Sequence, residues 1–216
     1  MFRLAKAYNA ITVLDTAQSL GLIELDSQVI EADYIAFAGH KALYGPLGIG
    51  GFISLRENTE LMPVFAGGTG SSSLNLEMPQ SNPEKYEFAS LNIVAIAGLI
   101  AALDNLNIQK NYEHEAKLTK KLKDGLEKIE GVVVYGLNDE KHIGVISFNV
   151  CGYTAEDIGT ILDSDYGIAV RTGYHCAPYI HKYLSDKEFV GTVRVGIGQY
   201  TTEDDIESLL CAIAEL

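Results

Sequence analysis

Two short apolar runs, Asp33-Tyr-Ile-Ala-Phe37 and Gly50-Gly-Phe-Ile-Ser-Leu55, flank the glycine-rich turn His40-Lys-Ala-Leu-Tyr-Gly-Pro-Leu-Gly48. Runs of this length bounded by Gly and Pro read as buried strands. A third such run, Ile11-Thr-Val-Leu-Asp15, reads as a buried strand that delivers Asp15 to its carboxyl end. Open α/β sheets present polar residues at the carboxyl ends of their strands in this way, and bind ligands there. The amino-terminal part is therefore expected to be α/β, with Asp15, His40 and Lys41 at a sheet edge.

From Leu61 to Tyr86 the text turns to Gly, Ser, Asn and Pro, with the cluster Gly67-Gly-Thr-Gly-Ser-Ser-Ser73, and reads as one long loop. Ser90 to Asn107 reads as a helix apolar on most faces and hence buried. Tyr112 to Ile129 reads as an amphipathic helix with Leu118, Leu122, Leu126 and Ile129 on one stripe and a Glu113–Lys117 pair. Then follow strand-like Val132–Tyr135, Ile143–Val150, Ile168–Val170 and Val193–Ile197, with a helix from Thr154 to Ser164 and a last helix opened by Thr202 and Asp205. Residues 1–108 are expected to form part of one α/β domain and residues 109–216 a small α+β domain.

With 16 basic against 29 acidic residues the formal charge is -13, which excludes a general binder of nucleic acid or of anionic membrane. Three cysteines do not make a disulfide framework and suit a reducing compartment. The longest apolar run, Ile93 to Leu103, falls short of the roughly 20 residues a membrane helix needs. The first residues carry no signal-peptide pattern, and a cytoplasmic protein is expected.

Several residues stand out chemically. Lys41 is either a solvated loop lysine or a desolvated amine suited to Schiff-base formation. Asp15 either caps a following helix or shares a pocket with Gln18. Cys176, in Arg171-Thr-Gly-Tyr-His-Cys-Ala-Pro178, lies near Arg171 and His175, where a thiol loses its proton most readily, whereas Cys151 and Cys211 read as packing residues in apolar elements. Arg194, within Gly191-Thr-Val-Arg-Val195, needs an anionic partner, either a protein carboxylate or a ligand. Zinc is not expected, because His175 and Cys176 are adjacent and no second ligand pair has suitable spacing. His114, His142 and His181 show no partner pattern and read as surface residues.

Taken in order, several segments resemble the class V aminotransferase family of pyridoxal-phosphate enzymes, and within it the cysteine desulfurases. They run from Asp15-Thr-Ala-Gln18 through Gly39-His-Lys-Ala-Leu-Tyr-Gly-Pro-Leu-Gly-Ile-Gly50, Gly67-Gly-Thr-Gly70, Met78-Pro79 and Glu87-Phe-Ala-Ser-Leu-Asn92. They continue with Arg171-Thr-Gly-Tyr-His-Cys-Ala-Pro178, Gly191-Thr-Val-Arg194 and Thr201-Thr-Glu-Asp204. The resemblance implies part of a fold-type I large domain, a mainly parallel sheet, followed by a small α+β domain. It implies pyridoxal 5'-phosphate held by Asp15 at the pyridinium nitrogen, Gln18 at the phenolic oxygen, His40 at the phosphate and Lys41 at the aldehyde, with Ser90 reaching the phosphate of the neighbouring subunit. Arg194, with Arg171 nearby, would clamp the substrate carboxylate, and Cys176 would take sulfur from L-cysteine as a persulfide, leaving alanine. A homodimer and a protein sulfur acceptor are the implied partners.

Two positions depart from the family pattern: Ala38 stands where a phosphate-binding serine is common, and Ala89-Ser90 replaces Gly-Thr. The chain also opens just before the Asp-x-Ala-Gln strand, where family members carry about half a cofactor domain. The expectation is therefore a carboxyl-terminal portion with little cofactor binding of its own. A catalytically inactive homologue acting by association, and a selenocysteine lyase, are the alternatives.

Overall fold

In the computed structural model, which describes residues 1–55, 61–70, 74–136 and 142–216, the segment Met1–Ile108 is one of two separate units. It contains α1 (Phe2–Ala7), β1 (Val13–Asp15), α2 (Ser27–Ile30), β2 (Tyr34–Ala38), β3 (Gly50–Ser54) and α3 (Ile93–Asp104). The strands form a sheet in the order β1-β2-β3, with β1 parallel and β3 antiparallel to β2. A buried polar clasp sets the β1–β2 register. The Asp33 carboxylate accepts hydrogen bonds from the Thr12 amide (2.7 Å) and hydroxyl (2.8 Å), and the Asp33 amide donates to Thr12 Oγ1 (2.9 Å). Each buried polar group thereby finds a partner.

Three expectations of burial fail in this unit. β1 is an edge strand whose Val13 and Asp15 are exposed, because among the described residues only β2 pairs with it. β3 also lies mostly exposed. The apolar helix begins at Ile93 rather than Ser90, capped by the Asn92 side chain on the Ala95 amide, and it buries only Ala95 and Leu99. Its other apolar residues, Ile93, Val94, Ile96, Ile100 and Leu103, remain exposed, while Gly98 and Leu99 pack against the Gly45–Pro46 turn. Apolar content alone did not specify what covers the helix. Residues 61–70 and 74–92 carry no helix or strand, and Ser71–Ser73 of the expected loop lie outside the described residues.

The second unit, Gln109–Leu216, has its own core. It comprises α4 (Ile108–Leu126), β4 (Val132–Tyr135), β5 (Val145–Val150), α5 (Ala155–Tyr166), β6 (Arg171–Gly173), β7 (Thr192–Gly196) and α6 (Glu203–Ala214). The sheet is antiparallel, in the order β4-β5-β7-β6. Ile146, Phe148 and Val150 alternate along β5 and share a face with Val193, which lies opposite Phe148. Against this face pack Leu118, Leu122 and Leu126 of α4, Ile158 and Leu162 of α5, and Ile206, Leu209 and Ile213 of α6. Each fully buried Leu or Ile of this set contributes about 1.5–3 kcal/mol.

Both expected capping boxes form. Thr154 Oγ1 accepts from the Asp157 amide and Asp157 Oδ2 from the Thr154 amide, and Thr202 and Asp205 do the same for α6. The Thr154 bonds hold the Asp157 carboxyl below its ordinary range, and the Thr202 bonds do so for Asp205. Other details differ. Lys117 pairs with Glu203 rather than Glu113, which accepts from Gln109. Ile168 and Val170 pack beside the core without joining the ladder, which begins at Arg171. Cys151 and Cys211 are exposed, because the first lies in the β5–α5 turn and the second on the outer side of α6. His114 is half-buried and bonds the Thr201 carbonyl (2.8 Å).

Candidate active site: a lysine edge and a thiol on a polar sheet face

In the first unit, parallel pairing of β1 with β2 brings the carboxyl ends of both strands to one edge. Asp15 lies opposite Ala36, and Thr16 fixes the following turn through its amide and hydroxyl, both 2.8 Å from the Ala36 carbonyl. No helix follows, so Asp15 is not a helix cap. Its Oδ1 accepts from the Ala17 amide (2.9 Å) within the turn, and Gln18 is exposed beside it.

At the same edge β2 runs into the turn that carries His40, exposed, and Lys41, half-buried. The Lys41 carbonyl accepts from the Tyr44 amide (2.8 Å), and the Gly45 amide donates to Gly39 O (2.8 Å). Glycine is required at Gly21, where φ is +100° and a Cβ would stand 2.4 Å from the Ala42 carbonyl oxygen. That contact packs the Asp15 turn directly against the residue after Lys41. Ser90 lies elsewhere, on the loop where the Ala89 amide donates to Gly68 O (2.7 Å). A cleft of about 680 Å³ along Ala66–Gly70 and Asn75–Pro79 includes Glu77 and Glu84 but none of Asp15, His40 or Lys41.

In the second unit the sheet face away from the core is polar. Antiparallel register places Ser147, Arg194 and Arg171 side by side across β5, β7 and β6, and Thr192 follows on the same face as Arg194. Like charges directly opposite on two strands repel. Among the described residues no carboxylate pairs with Arg194, so the protein salt bridge considered for it is absent. Two convergent guanidinium groups without a protein anion suit a ligand carboxylate.

Arg171 also reaches the thiol, donating from Nη2 to Cys176 Sγ at 3.0 Å. Cys176 and the preceding His175 both adopt left-handed backbone, with φ of +62° and +51°. That conformation costs a non-glycine residue about 1–2 kcal/mol, and such strain gathers at functional loops. Close approach of β6 to the following strand supports the loop: at Gly191, φ is +107° and a Cβ would lie 2.7 Å from the Gly173 carbonyl.

His175 Nε2 bonds Thr192 Oγ1 (2.9 Å), while its buried Nδ1 has no hydrogen-bond partner among the described residues. Burial foremost, and then the Arg194 and Arg171 guanidinium groups, hold this imidazole below its usual 6.5 and so favour its neutral form. His181, expected at the surface, is buried and bonded to Asp186. A histidine five residues before an aspartate within a polar loop carries no period that marks it for burial. The Arg171–Arg194 opposition was equally hidden, because it depends on a strand register that no local pattern specifies.

Known proteins resemble this chain in sequence and in fold. The family model described as aminotransferase class-V matches residues 1–209. A probable cysteine desulfurase of Methanothermobacter thermautotrophicus is 36% identical over 214 residues, which cover 96% of this chain and 53% of that protein. A cysteine desulfurase of Pectobacterium carotovorum subsp. carotovorum is 34% identical over 224 residues, covering 100% of this chain and 53% of that protein. Among solved structures, the apo cysteine desulfurase from Thermococcus onnurineus NA1 superposes with a TM-score of 0.83 at 33% identity, over 99% of this chain and 54% of that one. The chain spans about half the length of the curated relatives it matches.

Proposed function

Because the chain belongs to the class V aminotransferase family, we propose that it serves in a pyridoxal 5'-phosphate-dependent cysteine desulfurase, removing sulfur from L-cysteine onto Cys176 and leaving alanine. The observation that carries the reading is the Cys176 thiol bonded to Arg171, on a sheet face where Arg171 and Arg194 stand opposed with no carboxylate partner among the described residues. A plain transaminase needs no thiol there. The names of the similar proteins support the same chemistry.

The donor set in the first unit fits the cofactor. Lys41 offers an amine for its aldehyde, Asp15 a carboxylate for its ring nitrogen and Gln18 an amide for its phenolic oxygen, while His40 offers a polar contact for its phosphate and Ser90 one for the phosphate of a neighbouring subunit. Asp15, His40 and Lys41 share one sheet edge, and the Gly21–Ala42 contact holds the first turn against the lysine turn. When bound, pyridoxal phosphate withdraws electrons from the substrate Cα and so weakens the Cβ–S bond.

The side chains of this chain supply the remainder. Arg194 holds the substrate carboxylate, and the Lys41 amine moves the proton at Cα. The Cys176 sulfur, held beside the Arg171 guanidinium, attacks the substrate sulfur: an S–S bond forms, the Cβ–S bond breaks, the thiol proton is released, and Cβ gains a proton to give alanine. The persulfide then passes to a sulfur acceptor. Three exposed free thiols suit a cytoplasmic setting, and the exposed apolar residues of α3 favour association with a second copy.

The test is release of alanine and sulfide from L-cysteine by the purified protein supplied with pyridoxal phosphate and a thiol reductant, with selenocysteine as a parallel substrate. Loss of sulfide release in Cys176→Ala is the expected result for the thiol, whereas borohydride fixation of the cofactor on Lys41 would overturn the expectation that this chain binds little cofactor of its own. Sulfide release undiminished in Cys176→Ala would overturn the assignment of the thiol, and selenium release without sulfide release would make the protein a selenocysteine lyase.

A further inference from the structure

Behind the Cys176 loop lies a buried acid–imidazole pair that the chemistry above does not use. His181, in the 3-10 turn Ile180–Lys182, hydrogen-bonds through Nδ1 to Asp186 Oδ2, and the two side chains are only 6% and 2% exposed. The residues around them, Ala177–Ile180, Lys182 and Tyr183, are exposed. Removing a histidine and an aspartate from water is unfavourable unless each is firmly partnered. An exposed connecting loop that needed only closure would not require it.

The rings show what the pair supports. Tyr174 stands edge-on to His181, with centroids 5.0 Å apart and planes at 84°, and the His175 ring lies 6.2 Å away. The two residues immediately before Cys176 therefore both rest on His181. His175 is tied in turn to Thr192 of β7, and the Ser185 carbonyl beside Asp186 accepts from the Tyr135 hydroxyl of β4 (3.4 Å). One buried imidazole thus connects the left-handed His175–Cys176 step to two strands of the sheet.

We infer that the His181–Asp186 pair is a positioning device for the nucleophile, holding the loop so that the Cys176 sulfur stays beside the Arg171 guanidinium on the polar sheet face. Neither residue touches the thiol. They act through Tyr174 and His175, and the inference rests on the reading of Cys176 as the sulfur-accepting group.

Cys176 beside Arg171 and Arg194 predicts a preference for an anionic alkylating agent over a neutral one. The ratio of the iodoacetate to the iodoacetamide rate measures it, because the fraction of ionised thiol cancels. The experiment uses the whole chain with Cys151→Ser and Cys211→Ser, so that Cys176 alone reports, and adds His181→Ala or the near-isosteric Asp186→Asn. The expected result is a ratio above that of free cysteine in the parent, falling several-fold in His181→Ala and less in Asp186→Asn, with near-native circular dichroism. A merely structural role would lower the melting temperature and leave the ratio where it was.

Unchanged ratios in the folded variants would overturn the inference. Global unfolding of both variants would do so as well, since the pair would then hold the domain rather than the loop. If His181→Ala alone unfolds, Asp186→Asn decides. The readout needs neither cofactor nor L-cysteine, so failure of sulfide release would count against the desulfurase reading and leave this one to its own result.

Discussion

Arg171 of β6 and Arg194 of β7 lie directly opposite each other in the antiparallel register, on the sheet face away from the core. The arrangement is unfavourable for the fold alone, because a cross-strand pair of like charges repels. It becomes favourable when an anion joins the two. The two arginines are not equivalent, however: Arg171 is exposed and engages the Cys176 sulfur, whereas Arg194 is half-buried and engages no carboxylate among the described residues.

Replacing Arg194 should therefore stabilise the empty protein while impairing substrate capture. Arg194→Met is expected to raise unfolding stability by about 0.2–1 kcal/mol through relief of the cross-strand repulsion, read from urea denaturation. The same variant should raise KM for L-cysteine far more than it alters the fold. A loss of stability without a change in KM would mean that Arg194 serves packing.

Arg171→Met removes the hydrogen bond to Cys176 Sγ and the nearer positive charge. Alkylation of Cys176 by iodoacetate should slow several-fold at low salt, with a smaller effect on iodoacetamide, and added salt should reduce the difference. Equal slowing with both reagents would show that the guanidinium does not act through its charge.

The imidazole of His175 should titrate below 6.5, first because it is buried and next because Arg194 lies near. Arg194→Met should bring its titration upward without restoring 6.5, which imidazole proton resonances would follow. The sign for stability is set by the unfolded chain, which binds the proton more readily. Stability contributed by this residue is complete above 6.5 and declines as pH falls from there toward the folded-state value.

The two close backbone approaches make a further pair of tests. At Gly21 and Gly191 an added Cβ meets backbone atoms at 2.4 and 2.7 Å, and both residues have positive φ. Gly191→Ala should cost at least about 1 kcal/mol and should lower the anionic preference of Cys176 alkylation, because Gly173 must give way. Gly21→Ala should displace the lysine turn and lower the stability of the first unit while leaving Cys176 alkylation unchanged.

Legibility in the sequence followed the range of the interactions. The α5 and α6 starts were readable because Thr154 with Asp157, and Thr202 with Asp205, complete their bonds within four residues. The Leu118, Leu122 and Leu126 stripe was readable because its period is that of the helix. The exposure of α3 was not, since apolar composition does not state which face is covered. The start of β6 at Arg171, and with it the opposition of the two arginines, depended on pairing with β7, about twenty residues away. The His181–Asp186 contact was invisible for a related reason: burial of a polar loop pair is decided by the surrounding rings and strands.

The amino end of α6 is fastened to α4 by charge. Glu203 accepts hydrogen bonds from Lys117 (2.6 Å) and Lys121 (3.1 Å), which draw its carboxyl from the ordinary 4.5 down to about 2. The folded-state value is the lower one, so the contribution is present above 4.5, is lost progressively as pH falls, and is gone below about 2. Glu203→Gln should therefore flatten the dependence of the melting temperature on pH between those two values, with little effect near neutrality beyond the loss of one exposed ion-pair cluster. High salt should reduce the difference between the two proteins. An unaltered acid dependence in Glu203→Gln would assign the acid sensitivity of this unit to other carboxylates, with Asp157 and Asp205, both held low by their capping threonines, next to be replaced.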